Sequence, residues 1–467
     1  MTVAPPLNIA APVDAASSAR ATRTKVLLTA PIGPTLAKLA APNVLAMLVQ
    51  AAQSIAEAYF ASLLGVTVLA GLALVFPLMM LTQMLAAGAM GGAISAAVAR
   101  ALGASNPARA ATLTFTAWII VACFALLMAV TMALFGRAIF STLGGGEAAV
   151  DAAVTYSIVF FPGCFTIWLC HSSLSVIRGT GDMRMPSLLL LLVSIVSIPL
   201  SGGFALGWGP LPALGIAGLP LGLILAYGLG ALIAVSYIAT GRTGLAFKGA
   251  FARVDLGMFR DIMHVGAIAS VNTLLTVLTI VMMVGMVGQY GEAALAGYGL
   301  GARLEFLMIP VIFGIGAAMT AMVGVNVGAG QKDRALRIAW TGSLTGAAII
   351  GCIGLILSVF PDLWLGMFLN PSDTATLEAG RAYFRIVAPF YAFFGLGLAL
   401  YFASQGAAKM LWPLIGSLFR IGLAVGGGLI LTSTTSMGVN GVFAAIGIAM
   451  MAYGLVIGVA ILHTRWA

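Results

Sequence analysis

Long stretches of this chain contain no charged residue and consist mostly of apolar side chains. The clearest are residues 110–135, 154–177, 187–240 and 339–360. Each is at least as long as the roughly 20 residues that a helix needs to cross the hydrocarbon of a bilayer. The apolar positions do not alternate over about 10 residues, as the strands of a membrane β-barrel would. The pattern therefore predicts membrane-spanning helices.

Twelve helices account for the whole pattern, six in each half. The predicted spans are 39–64, 69–99, 111–135, 153–177, 187–208 and 215–239 in the first half, and 263–288, 294–327, 338–360, 381–404, 412–432 and 440–463 in the second. Because six is even, both halves enter the membrane in the same direction. The predicted fold class is an all-α integral membrane protein, with two six-helix lobes related by a pseudo-twofold axis along the membrane normal.

The connectors divide the chain into four regions. We predict a disordered cytoplasmic N-terminal tail over 1–35, an N-terminal six-helix lobe over 36–240, a cytoplasmic inter-lobe linker over 241–262 and a C-terminal six-helix lobe over 263–467. The tail is rich in Ala, Pro, Ser and Thr, and it lacks the ordered basic and apolar regions of a signal peptide.

The hydrophobic pattern occurs twice along the chain. Residues 102–110 return as 327–335, with an offset of 225 residues. Pro162 returns as Pro389, with an offset of 227. An apolar, internally duplicated chain is typical of a membrane carrier whose two halves face a shared cavity.

The charge of the chain indicates membrane orientation rather than a nucleic-acid partner. Only 7% of residues are charged and 61% are hydrophobic, whereas a soluble protein carries about a quarter charged residues. The net charge of +9 comes mostly from short connectors, where Lys and Arg favour the cytoplasmic side. One set of loops holds Arg100, Arg109, Arg178, Arg184, Arg242, Lys248, Arg253, Arg260, Lys332, Arg334, Arg337 and Lys409, and Arg465 lies on the same side. Both termini are therefore predicted to be cytoplasmic.

The first span carries a polar stripe that ends in a carboxylate. Asn43, Gln50 and Glu57 are spaced by seven residues, which keeps them on one helical face, and Gln53 lies next to that stripe. A charge inside a span is costly and usually faces a wet cavity. Two interpretations stay open for Glu57: a carboxylate that couples transport to an ion, or a structural carboxylate bonded to neighbouring polar groups.

The second half contains further polar candidates. Asn272, Thr276 and Thr279 form a matching stripe on the seventh span, and they could hydrogen-bond a substrate or pack against other helices. Aromatic residues cluster near Pro389, with Tyr391 among them. Their rings could bind flat organic cations or simply pack.

Three more charges lie inside predicted spans. Arg303 and Glu305 are about 200° apart around the eighth helix, so they do not share a face. Glu305 could form a second cation site with Arg303 nearby in sequence, or a buried salt bridge to Arg381 or Arg385. Arg420 is interpreted as structural or as reaching to an interface.

Several segments together resemble the multidrug and toxic compound extrusion (MATE) family of efflux antiporters. The segments are 55–60 with Gly65, 178–182 with Pro186, 303–306 with Pro310, 323–330 and 333–335. The resemblance implies two lobes of six helices in a bacterial inner membrane. It also implies export of organic cations or drugs, driven by inward flow of protons or sodium. Some members carry acids near Asn272 and Phe394, which are neutral here, so protons are favoured over sodium.

The sequence does not predict an enzyme. Paired acids, a metal triad and a nucleophile–base set are not visible, and the loop around Gly328 lacks the lysine–serine ending of a nucleotide-binding loop. We expect no cofactor and no metal site. The expected partners are small amphipathic cations and the lipid bilayer, with a monomer as the functional form. The alternative function is a flippase of lipid-linked sugars from the same wider superfamily.

Overall fold

The computed structural model describes residues 10–143, 146–245, 250, 253–464 and 466. Every regular element within those ranges is helical. Twelve helices are long and apolar enough to cross a membrane, which confirms the predicted number and the all-α membrane class. Lys248 and Arg465, used above for the orientation, lie outside the described residues, as do residues 1–9 of the predicted tail.

One helix precedes the twelve spans. It is α1, Ala10–Thr29. The spans are α2 (Ile32–Leu63), α3 (Val66–Gly103), α4 (Pro107–Leu143), α5 (Glu147–Gly179), α6 (Arg184–Leu206), α7 (Gly215–Ala239), α8 (Leu256–Gly288), α9 (Glu292–Gly328), α10 (Lys332–Val359), α11 (Thr374–Ala407), α12 (Leu411–Thr434) and α13 (Val439–Thr464).

Several helices continue well beyond the apolar runs that predicted them. For example, α4 begins at Pro107 and ends at Leu143, whereas the apolar run gave 111–135. Its start is capped by Asn106, whose side-chain oxygen accepts the backbone N–H of Arg109 over 2.9 Å. Apolar length marks only the part of a helix that lies in hydrocarbon, so polar end turns escape a prediction based on it.

Residues 10–29, which the composition assigns to a disordered tail, form the helix α1. This helix is held by contacts to distant segments. The Arg20 guanidinium donates to the carbonyl of Gly244. Leu27 is buried, and its carbonyl accepts the side-chain amide of Asn326 over 3.0 Å. Such tertiary contacts stabilise a helix that local composition alone would not specify.

The chain forms two compact units. The first unit contains Ala52–Met263, the chain up to Pro31, and Gly324–Gln331; the second contains Ile32–Ala51, His264–Val323 and Lys332–Ala467. Boundaries between units therefore fall inside α2, inside α8 after Met263 and inside α9. The boundary after Met263 lies at the predicted start of the second lobe, whereas those inside α2 and α9 were not predicted. The first part of α2 belongs with the second half of the sequence.

A π-helix at Met84–Met90 interrupts α3. It explains a change of offset in the duplicated pattern. Leu69 corresponds to Leu295 at an offset of 226, but Gly103 corresponds to Gly328 at 225, so the first half has one extra residue between them. A π-turn accommodates such a single inserted residue within an α-helix.

The ends of α3 and α9 touch at repeat-equivalent glycines within the first unit. A Cβ added to Gly103 would lie 2.0 Å from the carbonyl oxygen of Val325, and one added to Gly328 would lie 2.1 Å from that of Arg100. Val325 is the repeat equivalent of Arg100, so the two contacts mirror each other. Only glycine allows helix backbones to approach this closely.

Connectors that were predicted to share one side of the membrane do meet. Asp261, at the start of α8, pairs with Arg109 at 2.9 Å and with Arg100 at 3.3 Å. Arg100 lies in the last turn of α3, Arg109 in the first turn of α4, and Asp261 near the start of α8. Their contact supports the assignment of both segments to the same side.

Candidate functional site

The first unit contains a buried carboxylate held by a tyrosine. Glu57 lies on α2 and is only 9% exposed. The hydroxyl of Tyr156, on α5, donates to Oε1 of Glu57 over 2.6 Å. No basic side chain forms an ion pair with Glu57 in the part of the chain that the structure describes. The Glu57 carboxylate is thus held by a neutral hydroxyl and not by a positive charge among the described residues.

The polar stripe on α2 faces inward, as its spacing predicts. Asn43, Gln53 and Glu57 are buried and Gln50 is half-buried, while intervening residues such as Ile55 are exposed. The side-chain oxygen of Gln53 is buried without a hydrogen-bond donor among the described residues. An unsatisfied buried acceptor is costly. Gln53 is therefore the group of this stripe that water or a ligand would satisfy.

The second unit contains a partly enclosed cavity of about 70 Å³. This is below the roughly 300–1,000 Å³ of sites that enclose a whole drug-sized ligand, so the cavity fits water or the charged end of a ligand. Its walls come mainly from α8, α9, α11, α12 and α13, and most of its lining is apolar. The polar residues that line it are Thr276, Thr279, Tyr298, Glu305, Tyr383 and Arg420.

Glu305 reaches this cavity from α9, where it is bonded to a tyrosine rather than to the expected arginines. The hydroxyl of Tyr383 donates to its Oε1. Arg381 instead forms two 2.8 Å bonds to Asp362, and Arg385 forms no ion pair with Glu305 in the described residues. The predicted salt bridge to Arg381 or Arg385 is therefore wrong, because both side chains lie away from the Glu305 side of α11.

Arg303 does not belong to the Glu305 site. Its side chain is exposed, whereas Glu305 lines the cavity. The two residues lie on different faces of α9, as their spacing predicted. The pairing of Arg303 with Glu305 as one charged site is therefore not supported by their positions.

Arg420 lies in the wall of this cavity. Its Nη2 donates to the hydroxyl of Thr276 over 2.8 Å. Its guanidinium carbon lies 5.1 Å from the ring centre of Tyr453 and 6.0 Å from that of Phe394, within the range of cation–π contacts. The side chain is 9% exposed, and its Nε has no partner in the described residues. These contacts agree with the structural interpretation of Arg420, which did not include its place in the wall of a cavity.

The remaining candidates of the second half divide into two groups. Thr276 and Thr279 line the cavity. Asn272 is buried and accepts a hydrogen bond from Ser417, which favours the packing interpretation for this residue. Tyr391 is fully buried; its hydroxyl lies near Glu305 without a hydrogen bond of normal geometry. Tyr391 is therefore not among the residues that line the cavity.

Sequence reasoning missed the two tyrosines that hold the acids. Tyr156 and Tyr383 are repeat equivalents at an offset of 227, and each lies six residues before one of the matching prolines, Pro162 and Pro389. A buried tyrosine kept in both copies was the available signal. Its partners could not be read from the pattern, because the acids occupy different helices in the two halves.

A family model described as MatE matches residues 42–201 and 267–430. A "FAD transporter" from Shewanella oneidensis is 26% identical over 66% of this chain and 68% of that protein. "Probable multidrug resistance protein YoeA" from Bacillus subtilis is 24% identical over 81% of this chain and 82% of that protein. "Probable multidrug resistance protein NorM" from Thermotoga maritima is 23% identical over 71% and 70%, respectively.

Solved structures show the same fold. A MATE transporter in a bent conformation superposes with a TM-score of 0.87 and 23% identity, over 95% of this chain and 97% of that one. A MOP superfamily transporter from Pyrococcus furiosus, described as having reverse polarity of its binding pocket, gives 0.86 and 22%, over 94% and 97%. These likenesses show the fold of this chain.

Proposed function

This chain belongs to the MatE family, and on that premise we propose that it is a secondary active multidrug exporter of a bacterial inner membrane. It would export amphipathic organic compounds that carry a positive charge, in exchange for inward-moving protons. Sodium is the alternative coupling ion. The names of two relatives, both multidrug resistance proteins, support drug efflux as the transport activity. Both termini would lie in the cytoplasm.

The observation that carries the proposal is the buried Glu57 carboxylate, whose hydrogen-bond donor among the described residues is the neutral hydroxyl of Tyr156. An ionised carboxylate without a counter-charge is costly inside a membrane helix. Either a proton or a cationic substrate would remove that cost. The two would therefore compete for Glu57, and their alternation would couple uptake of one to release of the other.

Proton coupling fits the donor at this site better than sodium coupling. Sodium, a hard cation, is held by several oxygen acceptors. Glu57 instead receives a hydroxyl donor from Tyr156 over 2.6 Å. A carboxylate held in this way can exchange a proton while the tyrosine keeps its position, and it needs no further ligands.

The test is dye efflux by purified protein in liposomes with an imposed pH gradient. Wild-type protein should expel an ethidium-like dye, and Glu57→Gln should reduce gradient-driven efflux to the level of protein-free liposomes. Glu147→Gln, which alters an exposed carboxylate at the start of α5, is the matched control and should retain transport. Replacing sodium by choline at constant pH should have no effect. Full efflux by Glu57→Gln would overturn the assignment of this residue.

A second candidate is export of an anionic nucleotide such as FAD. The relative from Shewanella oneidensis carries that name, and Arg420 places a positive charge in the cavity of the second unit. This hypothesis predicts that wild-type protein releases FAD from loaded liposomes and that Arg420→Gln does not. Drug efflux without any FAD release would exclude it.

A further inference from the structure

The connector between α10 and α11 carries exposed apolar side chains. Leu363 and Met367 are 63% and 70% exposed, and Phe368 is exposed as well. The hydrophobic pattern places this stretch outside the membrane, between predicted spans that end at 360 and begin at 381. Exposure of such side chains to water is unfavourable. Several of them close together mark a surface that contacts lipid or another protein.

A proline ends α10 before this connector. The helix stops at Val359, and Pro361 precedes a short helix, Asp362–Leu365, which we call the connector helix. Proline has no N–H to continue a helix, and it also restricts the residue before it. The repeat equivalent of Pro361 at an offset of 225 is Gly136, and α4 continues through that position to Leu143. The break at this position therefore occurs in the second half and not in the first.

The connector helix is fixed to two neighbouring spans. Leu365 is fully buried, and a Cβ added to Gly380 on α11 would lie 2.8 Å from its Cδ2. The indole Nε1 of Trp364 donates to the carbonyl of Leu300, on α9, over 2.9 Å. Because both contacts hold the connector helix in one position, its exposed side chains form a fixed surface.

The hydrogen-bond partner of Trp364 indicates the depth of the connector helix in the membrane. Leu300 lies about six residues inside the predicted span that begins at 294, which is about 9 Å along a helix that rises about 1.5 Å per residue. A group bonded at this level lies at the boundary of the hydrocarbon and not in bulk water. Tryptophan favours this boundary, because its ring is apolar and its N–H is polar.

The exposed apolar side chains of the connector continue the lipid-facing surface of α10. Leu355, Ile356 and Val359, in the last turns of α10, are each more than half exposed. Since α10 is one of the twelve spans, such side chains contact acyl chains. Leu363 follows Val359 by four residues and Met367 follows Leu363 by four, so the apolar positions keep a helical spacing across the break. This continuity favours lipid over a protein partner.

We propose that the segment 360–369 docks in the bilayer, at the boundary between the acyl chains and the lipid headgroups. Leu363 and Met367 insert among the ends of the acyl chains nearest the headgroups. Asp362 and Arg381, which pair through two 2.8 Å bonds, lie at the level of the headgroups. The docked segment then fixes the depth of the parts of α9 and α11 to which it is bonded, whichever substrate or ion is transported.

The test measures the depth of single spin labels on the full chain in vesicles of phosphatidylethanolamine and phosphatidylglycerol. Cys123→Ala and Cys352→Ala first remove the two exposed cysteines. Met367→Cys then carries the label at the proposed contact. Leu355→Cys, on the lipid-facing surface of α10, is the hydrocarbon control, and Gln331→Cys, in the exposed connector before α10, is the water control. Collisions of each label with oxygen, which concentrates in hydrocarbon, and with a water-soluble nickel chelate are measured.

The Met367 label should show a ratio of oxygen to nickel collisions that lies between those of the two controls and is several-fold above that of the Gln331 label. Leu363→Cys repeats the measurement at a second contact residue, in case Met367→Cys does not fold. A ratio equal to that of the Gln331 label would overturn the proposal, because the segment would then lie in water.

Rare collisions with both reagents at the Met367 label would also overturn it, because protein, such as a second copy of this chain, would then cover the segment. The result is separable from that for the proposed export activity. Glu57→Gln should stop gradient-driven transport and leave the depth of the Met367 label unchanged.

Discussion

Each half of the chain holds a carboxylate against a buried tyrosine, but only the tyrosines are equivalent in the duplication. Tyr156 and Tyr383 share one repeat position. Glu57 lies on the first span of its half, whereas Glu305 lies on the second span of the other half. The repeat equivalents of the two acids, Met283 and Met79, are buried and apolar. The two halves therefore share the hydroxyl donor but carry the acid on different helices.

The surroundings of the two acids differ as much as their origins. Glu57 is bonded to Tyr156 and has no ion-pair partner in the described residues. Glu305 shares a cavity with Arg420. A carboxylate without a counter-charge suits exchange of a proton, whereas the positive charge of Arg420 offsets part of the cost of an ionised Glu305. The two tyrosine–acid pairs therefore differ in the charges that surround them.

Removal of each tyrosine hydroxyl tests whether the two pairs play the same part in efflux. Tyr156→Phe should slow proton-driven efflux about tenfold, because the Glu57 carboxylate loses a charge-assisted hydrogen bond. Tyr383→Phe should instead leave proton-driven efflux largely unchanged, because Glu305 is not the proposed coupling acid. The measurement is the initial rate of dye efflux. Equal losses for the two variants would mean that both tyrosine–acid pairs take part in coupling.

The glycines at the contact between α3 and α9 are repeat equivalents with matching surroundings. Substitution of either one should therefore have the same effect. Gly103→Ala and Gly328→Ala each place a Cβ about 2 Å from a carbonyl oxygen. Overpacking of this kind costs about 1–3 kcal/mol, so both variants should unfold at lower temperature by similar amounts. Gly285→Ala in α8, where a Cβ meets nothing within 4 Å, is the control and should keep or slightly raise stability. If only one of Gly103→Ala and Gly328→Ala lowered the unfolding temperature, the two glycine contacts would not be equivalent.

Much of the architecture could be predicted because bilayer thickness is a strict constraint. Runs of about 20 apolar residues gave all twelve spans. The helix α1 could not be predicted in this way, because its order depends on contacts such as that between Leu27 and Asn326. The division of α2 and α9 between units likewise depends on packing, which the duplication alone does not encode.

The site was only partly predictable. Charges inside spans singled out Glu57, Glu305 and Arg420 in the sequence, since each is expensive in a membrane. Their partners were missed or wrong, because Tyr156 and Tyr383 are ordinary aromatic residues until two helices bring them to an acid. The position of an acid in sequence shows that it needs a partner, and only the packing of helices shows which partner it has.

The smallest expected effect concerns two ion pairs, one in each half. A basic residue of the first pair corresponds to an acidic residue of the second. Arg137 pairs with Asp151 by one 2.7 Å contact in the first half. Its repeat equivalent at an offset of 225 is Asp362, which pairs with Arg381 by two 2.8 Å bonds. The Arg381 guanidinium holds the pKa of Asp362 below its usual value through these hydrogen bonds. All four side chains are substantially exposed, so solvent and salt screen both pairs.

A carboxyl whose pKa is lower in the folded than in the unfolded state stabilises the fold above its unfolded pKa, and that contribution disappears as the pH falls through the folded value. Asp362→Asn should therefore lower the unfolding temperature slightly at pH 7 and low salt, and by less as the pH falls below about 4. Asp151→Asn should have a smaller effect, because a single contact is weaker than a bidentate one. Thermal unfolding in low and high salt measures both. An equal loss for Asp362→Asn at pH 3 and pH 7 would show that packing, and not the charge pair, is what the aspartate contributes.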